Sequence, residues 1–418
     1  MNKKKEVVPK LRFPEFSTSE GWKKYKLKEL ANRITQKVGN NKLVTLSISA
    51  GTGFVSQAEK FSRDISGKQY CNYIYLKKGE FSYNKGNSKT FPQGCVYELK
   101  EYEVAAVPNA FISFKFKENL VSSFYQGYFD GNFHGKQLVR FITSGARSDG
   151  LLNISPTDFF SIVLPTPVKK EEQQKIADCL SSIDELINAE SRKLKALEKY
   201  KKGLMQKLFP AEGKTLPEWR FPEFQGCGEW KYEEIGEIGE IITGKTPSTS
   251  DSAMWDGDVP FVTPTDITEN KYQHHTQRTV VITPKMKVLP KHTIMFTCIA
   301  SIGKMALSLY PCITNQQINS IVPKSCYNNE FIYYSLLQKT FLIKAGFANS
   351  TLPIINKTDF SKIQVPVILD KKEQQKIADC LSEVDTMITE QSNKVKQLKA
   401  HKKGLMQGLF PSLEEADV

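Results

Sequence analysis

Two stretches of the chain place apolar side chains at alternating steps of four and three. In the first, they fall at Ile176, Leu180, Ile183, Ile187, Leu194, Leu197, Leu204 and Leu208, with Glu190 and Lys201 in the two gaps. In the second, they fall at Ile377, Leu381, Val384, Ile388, Val395, Leu398, Leu405 and Leu409, with Gln391 and Lys402 in the matching gaps. A mean step of 3.5 sustained this long is the seam of a coiled coil rather than the wider stripe of a helix packed on its own domain. The pattern predicts two helices of about 35 residues, each roughly 50 Å long. Leu-Phe-Pro closes both, because proline cannot continue a helix.

The two helices are copies. EQQKIADCLS at 172–181 returns at 373–382, and KKGLMQKLFP at 201–210 returns as KKGLMQGLFP at 402–411. Between 171–210 and 372–411, 25 of 40 positions are identical at an offset of 201. Upstream, Thr-Asp-Phe at 157–159 returns at 358–360, and Pro165 matches Pro366. A second pair opens each copy: LRFPEF (11–16) with WRFPEF (219–224), and GWKKYKLKEL (21–30) with EWKYEEIGEI (229–238), at an offset of 208. Residues 31–150 and 239–350 hardly align, so the order is variable, constant, variable, constant.

Strand-like runs such as VTLSI (44–48) and FISFKF (111–116) mix with helical ones such as NEFIYYSLLQ (329–338). The expected fold is α+β: two globular domains, 1–168 and 211–369, each followed by a long helix, 169–210 and 370–411, with a tail at 412–418. The obvious partner for one seam is the other. Either direction is open to the chain; a pseudo-twofold relation between the two copies favours an antiparallel coiled coil. Polar interruptions at equal places would fix register at some loss of stability.

Charge changes the picture more than composition does. The 418 residues carry a net charge of +13, which favours an anionic partner, nucleic acid first. No run of 18 apolar residues occurs, and no apolar segment follows the charged start MNKKKEVVPK, so neither a membrane span nor a secretion signal is expected. The eight cysteines form no C-x-x-C pair, no Cys/His cluster has zinc spacing, and reduced cytoplasmic thiols are expected. His274 and His275 are adjacent and would point to opposite faces of a strand.

One stretch invites an enzymatic reading. Residues 239–246, GEIITGKT, satisfy the phosphate-loop pattern G-x-x-x-x-G-K-[ST]. Pro247 follows Thr246 with no apolar helical period beyond it, and Ile241 and Ile242 stand where a tight cradle needs small residues. The other copy reads ANRITQKV, with Ala31 and Gln36 in place of the glycines. The stretch therefore reads as a short strand, 240–243, entering a turn. There is no Asn/Asp-Pro-Pro-aromatic stretch and no G-x-S-x-G elbow. Glu229-Trp230-Lys231 has the acid-x-Lys form of a nuclease centre, but its counterpart Gly21-Trp22-Lys23 lacks the acid.

The paired EQQKIADCL…KKGLMQ-x-LFP helices and RFPEF…W starts resemble the specificity subunit of type I restriction–modification systems. In the second variable domain, ITGKTPS (242–248), SIGKMAL (301–307) and NQQI (315–318) are similar to segments of that family's recognition domains. The resemblance implies two target-recognition domains, each reading half of a split double-stranded DNA sequence, with the helices as a ruler. It implies no catalysis by this subunit and no cofactor on it. S-adenosylmethionine, ATP and magnesium would belong to partners: methyltransferase subunits, two of them, and restriction-translocase subunits. Groove reading needs paired donors and acceptors or a fork of donors, and phosphates need cations. Candidates in the first domain are Asn84, Lys85, Asn87, Ser88 and Lys89 in one loop and Arg147, Ser148 and Asp149 in another. In the second domain they are Lys245, Thr246, Ser301, Lys304, Asn315, Gln316, Gln317, Asn319, Asn349 and Ser350. A self-contained methyltransferase or nuclease with a fused reader, and a coiled-coil adaptor that binds only proteins, stay open alternatives.

Overall fold

A computed structural model describes residues 7–86, 91–142, 151–284, 286–347 and 354–413. The seams form helices α1 (Lys170–Leu208) and α2 (Lys371–Leu409) of 39 residues each, about 58 Å at the usual rise. The chain divides into two compact units, 1–189 with 395–418, and 190–394. Each unit therefore contains one variable domain, part of α1 and part of α2.

In unit 1, β1 (Lys23–Lys26) pairs antiparallel with β6 (Val163–Thr166) just before α1. Between them, β2 (Ala31–Arg33), β3 (Phe81–Asn84), β4 (Cys95–Glu98) and β5 (Ile112–Phe116) form an antiparallel sheet in the order β2-β5-β3-β4. The helix Ser122–Asp130 buries Phe124, Tyr125, Tyr128 and Phe129 in the same core as Phe81, Phe114 and Phe116. Phe116 and Tyr125 stack with ring centres 4.0 Å apart. Two ribbons, Leu46–Ser49 with Gly53–Ser56 and Ile74–Lys77 with Val104–Val107, surround a smaller core.

In unit 2, β7 (Lys231–Glu234) pairs with β16 (Gln364–Val367) just before α2. The strands between are β8 (Gly239–Thr243), β9 (Trp255–Val262), β10 (Tyr272–Gln273), β11 (Arg278–Val280), β12 (Ile294–Thr297), β13 (Met305–Ser308), β14 (Ile313–Thr314) and β15 (Ile318–Pro323). One sheet runs β8-β15-β12-β13-β10 and the other β11-β9-β14. The first four strands of the five-stranded sheet repeat the order of unit 1: first, fourth, second, third along the chain. Sequences that do not align thus build the same frame. A sheet needs apolar residues on its core face and tolerates many identities there, so the frame outlasts recognisable similarity.

The repeated motifs meet inside each unit. Arg12 of RFPEF makes a two-pronged bond to Glu172 of EQQ, 2.8 Å at each oxygen. Arg220 and Glu373 do the same at 2.8 and 2.7 Å. The Gln173 side chain accepts from Val121 N–H and donates to Pro167 O; Gln374 accepts from Asn328 N–H and donates to Ile368 O. Thr-Asp-Phe recurs because Ser155 and Asn356 cap short helices by accepting from the backbone N–H of Asp158 and Asp359, while Phe159 and Phe360 are buried. The Leu-Phe-Pro ends supply core: Phe410 packs on Trp22 and Phe124, and Phe209 on Trp230 and Phe331.

The seams face each other and run antiparallel. Within unit 2, Gln391 Nε2 donates to the Glu190 carboxylate at 2.6 Å and to its backbone oxygen at 3.0 Å, and Lys394 pairs with the same carboxylate at 2.5 Å. Lys201 pairs with Asp385 at 2.5 Å. Within unit 1, the equivalent Lys402 pairs with Asp184 and with Asp130, both at 2.8 Å. Partner numbers fall along α2 as they rise along α1, which fixes the direction. The seam gaps, Glu190, Lys201, Gln391 and Lys402, are the residues that make these bonds. Ile176, Leu180, Ile183, Ile187, Leu208, Ile377, Leu381, Val384, Val395 and Leu409 are buried, and Leu194, Leu197, Leu204, Ile388, Leu398 and Leu405 are half-buried. The seam ends do more than pair: Ile176, Leu180 and Leu405 join the core of unit 1, and Leu204, Ile377 and Leu381 that of unit 2.

Replacing Arg12 by Met strands the buried Glu172 carboxylate and should cost about 3–5 kcal/mol, read as a fall in the urea midpoint; Arg220→Met should cost as much. A second prediction concerns His134, fully buried beside Tyr83 and Phe129, near Asp130. Burial lowers its pKa to about 4. The unfolded chain takes up this proton near pH 6.5 and the folded chain does not, so stability falls as pH drops from there to about 4, by at most about 3 kcal/mol. Thermal midpoints at pH 7 and 4.5 should therefore separate more for the native chain than for His134→Leu.

Candidate nucleic-acid interface

In unit 2, four strand ends meet at one end of the five-stranded sheet. Register pairs Thr243 with Asn319, Thr297 with Ile318 and Phe296 with Met305. The turns leaving that end are 244–246, 298–304 and 315–317, so Lys245, Thr246, Ser301, Lys304, Asn315, Gln316 and Gln317 come together. Backbone bonds tie the turns: Gly244 N–H to Ile318 O at 3.1 Å, Lys245 N–H to Thr314 O at 2.9 Å, and Cys298 N–H to Gln317 O at 2.8 Å.

Their side chains divide by job. Asn315 is buried and folds its own turn, accepting from Gln317 N–H at 3.1 Å and donating to the Gln317 side chain at 2.9 Å. Asn319 is buried too, accepting from the Thr243 hydroxyl at 2.7 Å. Gln316, Lys245 and Lys304 are exposed, and Thr246 donates to Gln316 Oε1 at 2.5 Å. The Gln316 amide nitrogen and the two ammonium groups can thus face a ligand. Asn349 and Ser350 lie outside the described residues. The described chain resumes at Ile354, which bridges Ile299 at the Ser301 turn.

The GEIITGKT stretch has another physical cause than phosphate binding. It is strand β8 and the turn that follows. A Cβ on Gly239 would stand 2.4 Å from Val322 O, and one on Gly244 2.2 Å from Asn315 O. Both glycines admit a neighbouring backbone. The Gly244 and Lys245 N–H groups that a cradle would aim at an anion are already bonded to backbone oxygens of β15 and β14.

The corresponding end of the unit 1 sheet carries Asn84 and Lys85. Asn84 Oδ1 accepts from Gly86 N–H at 2.9 Å, and Lys85 O accepts from Leu152 N–H at 3.0 Å. Gly86 bridges Leu151. The bases of both candidate loops are therefore neighbours, although Asn87, Ser88, Lys89, Arg147, Ser148 and Asp149 lie outside the described residues. Sequence reading missed Lys60. It donates to Ile48 O at 2.7 Å, the carbonyl that the Asn84 amide also approaches, and burial lowers its pKa. No spacing rule picks out this lysine, because the short helix Gln57–Phe61 that carries it has too few turns to show a period. Among the described residues, no group of His, Cys, Asp and Glu is placed to hold a metal ion, and no helix is long and apolar enough to cross a membrane.

With this geometry in place, comparison with known proteins assigns the class. The family model for the type I restriction modification DNA specificity domain matches twice, over residues 19–199 and 228–400, and the chain belongs to that family. It is 34% identical over 177 residues to the type I restriction enzyme MjaIX specificity subunit of Methanocaldococcus jannaschii, covering 40% of each chain. It is 33% identical over 146 residues to the HindI specificity subunit of Haemophilus influenzae, covering 32% of this chain and 31% of that one. These alignments span less than half of either relative. The fold matches the crystal structure of a type I restriction–modification S subunit from M. genitalium, with a TM-score of 0.62, 17% identity, and 98% and 100% of the two chains covered.

Gly244→Ala should cost about 1–3 kcal/mol by overpacking, measured by urea unfolding, while Lys245→Ala should leave the midpoint unchanged. A phosphate loop would give the reverse emphasis: ATP affinity lost with Lys245, readable by calorimetry.

Proposed function

We propose that this chain is the DNA-reading subunit of a type I restriction–modification complex, with each unit reading one half of a split double-stranded target. The observation that carries this is the repeated sheet: one strand order, used twice, with unlike turns at the same end. Exposed lysines such as Lys245 and Lys304 supply the salt-sensitive grip on phosphates, and exposed amides such as Gln316 supply base reading. Because the two sets of turns differ, the two half-sites differ, and the target is asymmetric and interrupted.

The antiparallel helices set the interruption. Half-sites on one face of a duplex lie about 34–36 Å apart or a little more, a distance a rod of about 58 Å can define. The helices also dock two methyltransferase subunits, which bring S-adenosylmethionine; restriction-translocase subunits bring ATP and magnesium. The chain itself does no chemistry and works in the cytoplasm.

Mapping methylated adenines in a host that carries this chain with modification subunits tests the reading. A two-part asymmetric motif is the expected result. Four residues inserted at equivalent places in α1 and α2 should lengthen the gap and leave both half-sites unchanged; an unaltered gap removes the ruler. Binding of duplex DNA should weaken steeply with salt, and an affinity indifferent to salt would favour a protein-binding adaptor.

A further inference from the structure

The three-stranded sheet of unit 2 carries a side-chain arrangement that the motifs do not reach. The Arg278 guanidinium lies over the Trp255 ring, its carbon 3.4 Å from the ring centre. Trp255 is buried, stands edge-on to Phe261 at 5.2 Å, and donates Nε1–H to Ser248 O at 2.9 Å. The indole plane is therefore fixed, and it fixes the guanidinium plane above it. Arg278 itself is exposed. Among the described residues, it has no ion pair, although Asp256 and Asp258 lie on the neighbouring strand. Its donors are held in one plane and left unspent.

Its place in the fold joins it to the candidate interface. Phe261 on β9 pairs with Arg278 on one side and Ile313 on the other. Two strand spacings put the Arg278 backbone roughly 10 Å from Ile313, two residues before the 315–317 turn. Lys245 bonds Thr314 O, and three residues on Ser248 bonds Trp255, so the 244–248 segment spans the distance between them.

We propose that Arg278 reads a guanine in the half-site taken by unit 2, a role that rests on the DNA-reading function above. A planar fork of donors matches guanine O6 and N7 in the major groove. Stacking on Trp255 removes in advance the rotamer freedom that binding would otherwise cost. Lysine can supply the charge here but neither the fork nor the flat face.

The test selects random duplexes with the full chain, alone and with a modification subunit, for the native protein, Arg278→Ala and Arg278→Lys. The native chain should enrich a half-site with one guanine that both variants read indifferently, all other positions being kept. Affinity for the native site should fall about 5- to 150-fold in Arg278→Ala, with Arg278→Lys recovering little. Two results overturn the proposal while leaving DNA reading intact. An equal loss on every sequence, with a smaller salt slope and recovery in Arg278→Lys, makes the contact a phosphate. An unchanged half-site makes the stack a cover for Trp255. If a variant fails to fold by near-ultraviolet circular dichroism, the other, together with Trp255→Phe, which loosens the stack, decides. If the native chain enriches no duplex in either form, the DNA-reading function itself falls, and the role of Arg278 with it.

Discussion

A carboxylate buried in the first turn of each long helix holds the rest of the architecture in place. Glu172 and Glu373 are 1% and 0% exposed, and each takes both prongs of an arginine from the far end of its own repeat. Removing a carboxylate from water costs several kcal/mol, repaid only where the geometry is good and the remaining lone pairs are met. The two-pronged arginine provides that geometry. In unit 1, Trp22 adds a third donor, its indole N–H 3.0 Å from Glu172 Oε1. The first turn of a helix also favours negative charge. A variable domain of well over a hundred residues is thereby closed as a loop, its entry and exit clamped to one helix turn. What happens inside the loop is free to vary.

The helix pair solves a different problem. A leucine seam alone is indifferent to small slips and to direction. Placing Glu190 against Gln391, Lys201 against Asp385 and Lys402 against Asp184 makes one alignment satisfy these polar groups and a slipped alignment strand them. Burial disfavours the charge on Lys402, yet Asp130 and Asp184 together hold its pKa above the ordinary lysine value. Because Asp130 belongs to a domain helix, that lysine links the seam to the domain core as well as to the other helix.

Periodicity and repetition made the helices legible. Two seams with the same gaps announced two long helices and made each the partner of the other, and the repeated RFPEF and EQQ motifs are now seen to be two halves of one bond. The sheets were not legible as equivalents, because a core face can be filled by Phe81, Phe114 and Phe116 in one unit and by Ile294, Phe296 and Ile321 in the other. Candidate residues chosen as exposed amides were partly spent within the fold: Asn315 and Asn319 look like Gln316 in sequence, but the first two hold turns and strands together. The Arg278–Trp255 stack joins residues brought side by side by strand pairing, and no local pattern announces it.

The division between clamp and turn explains how one frame can carry two different sets of turns. The frame is fixed by the arginine–glutamate pairs, the capping Ser155 and Asn356, and the glycines that admit a neighbouring backbone, Gly244 at the sheet end included. Exposed residues such as Lys245 and Gln316 sit at the sheet end, on turns held by backbone bonds and by the buried Asn315 side chain. Changing Gln316 or Lys245 therefore need not disturb a strand, whereas changing Gly244 must. A chain built this way can change the exposed side chains on one unit's turns without altering that unit's fold or its helix contacts.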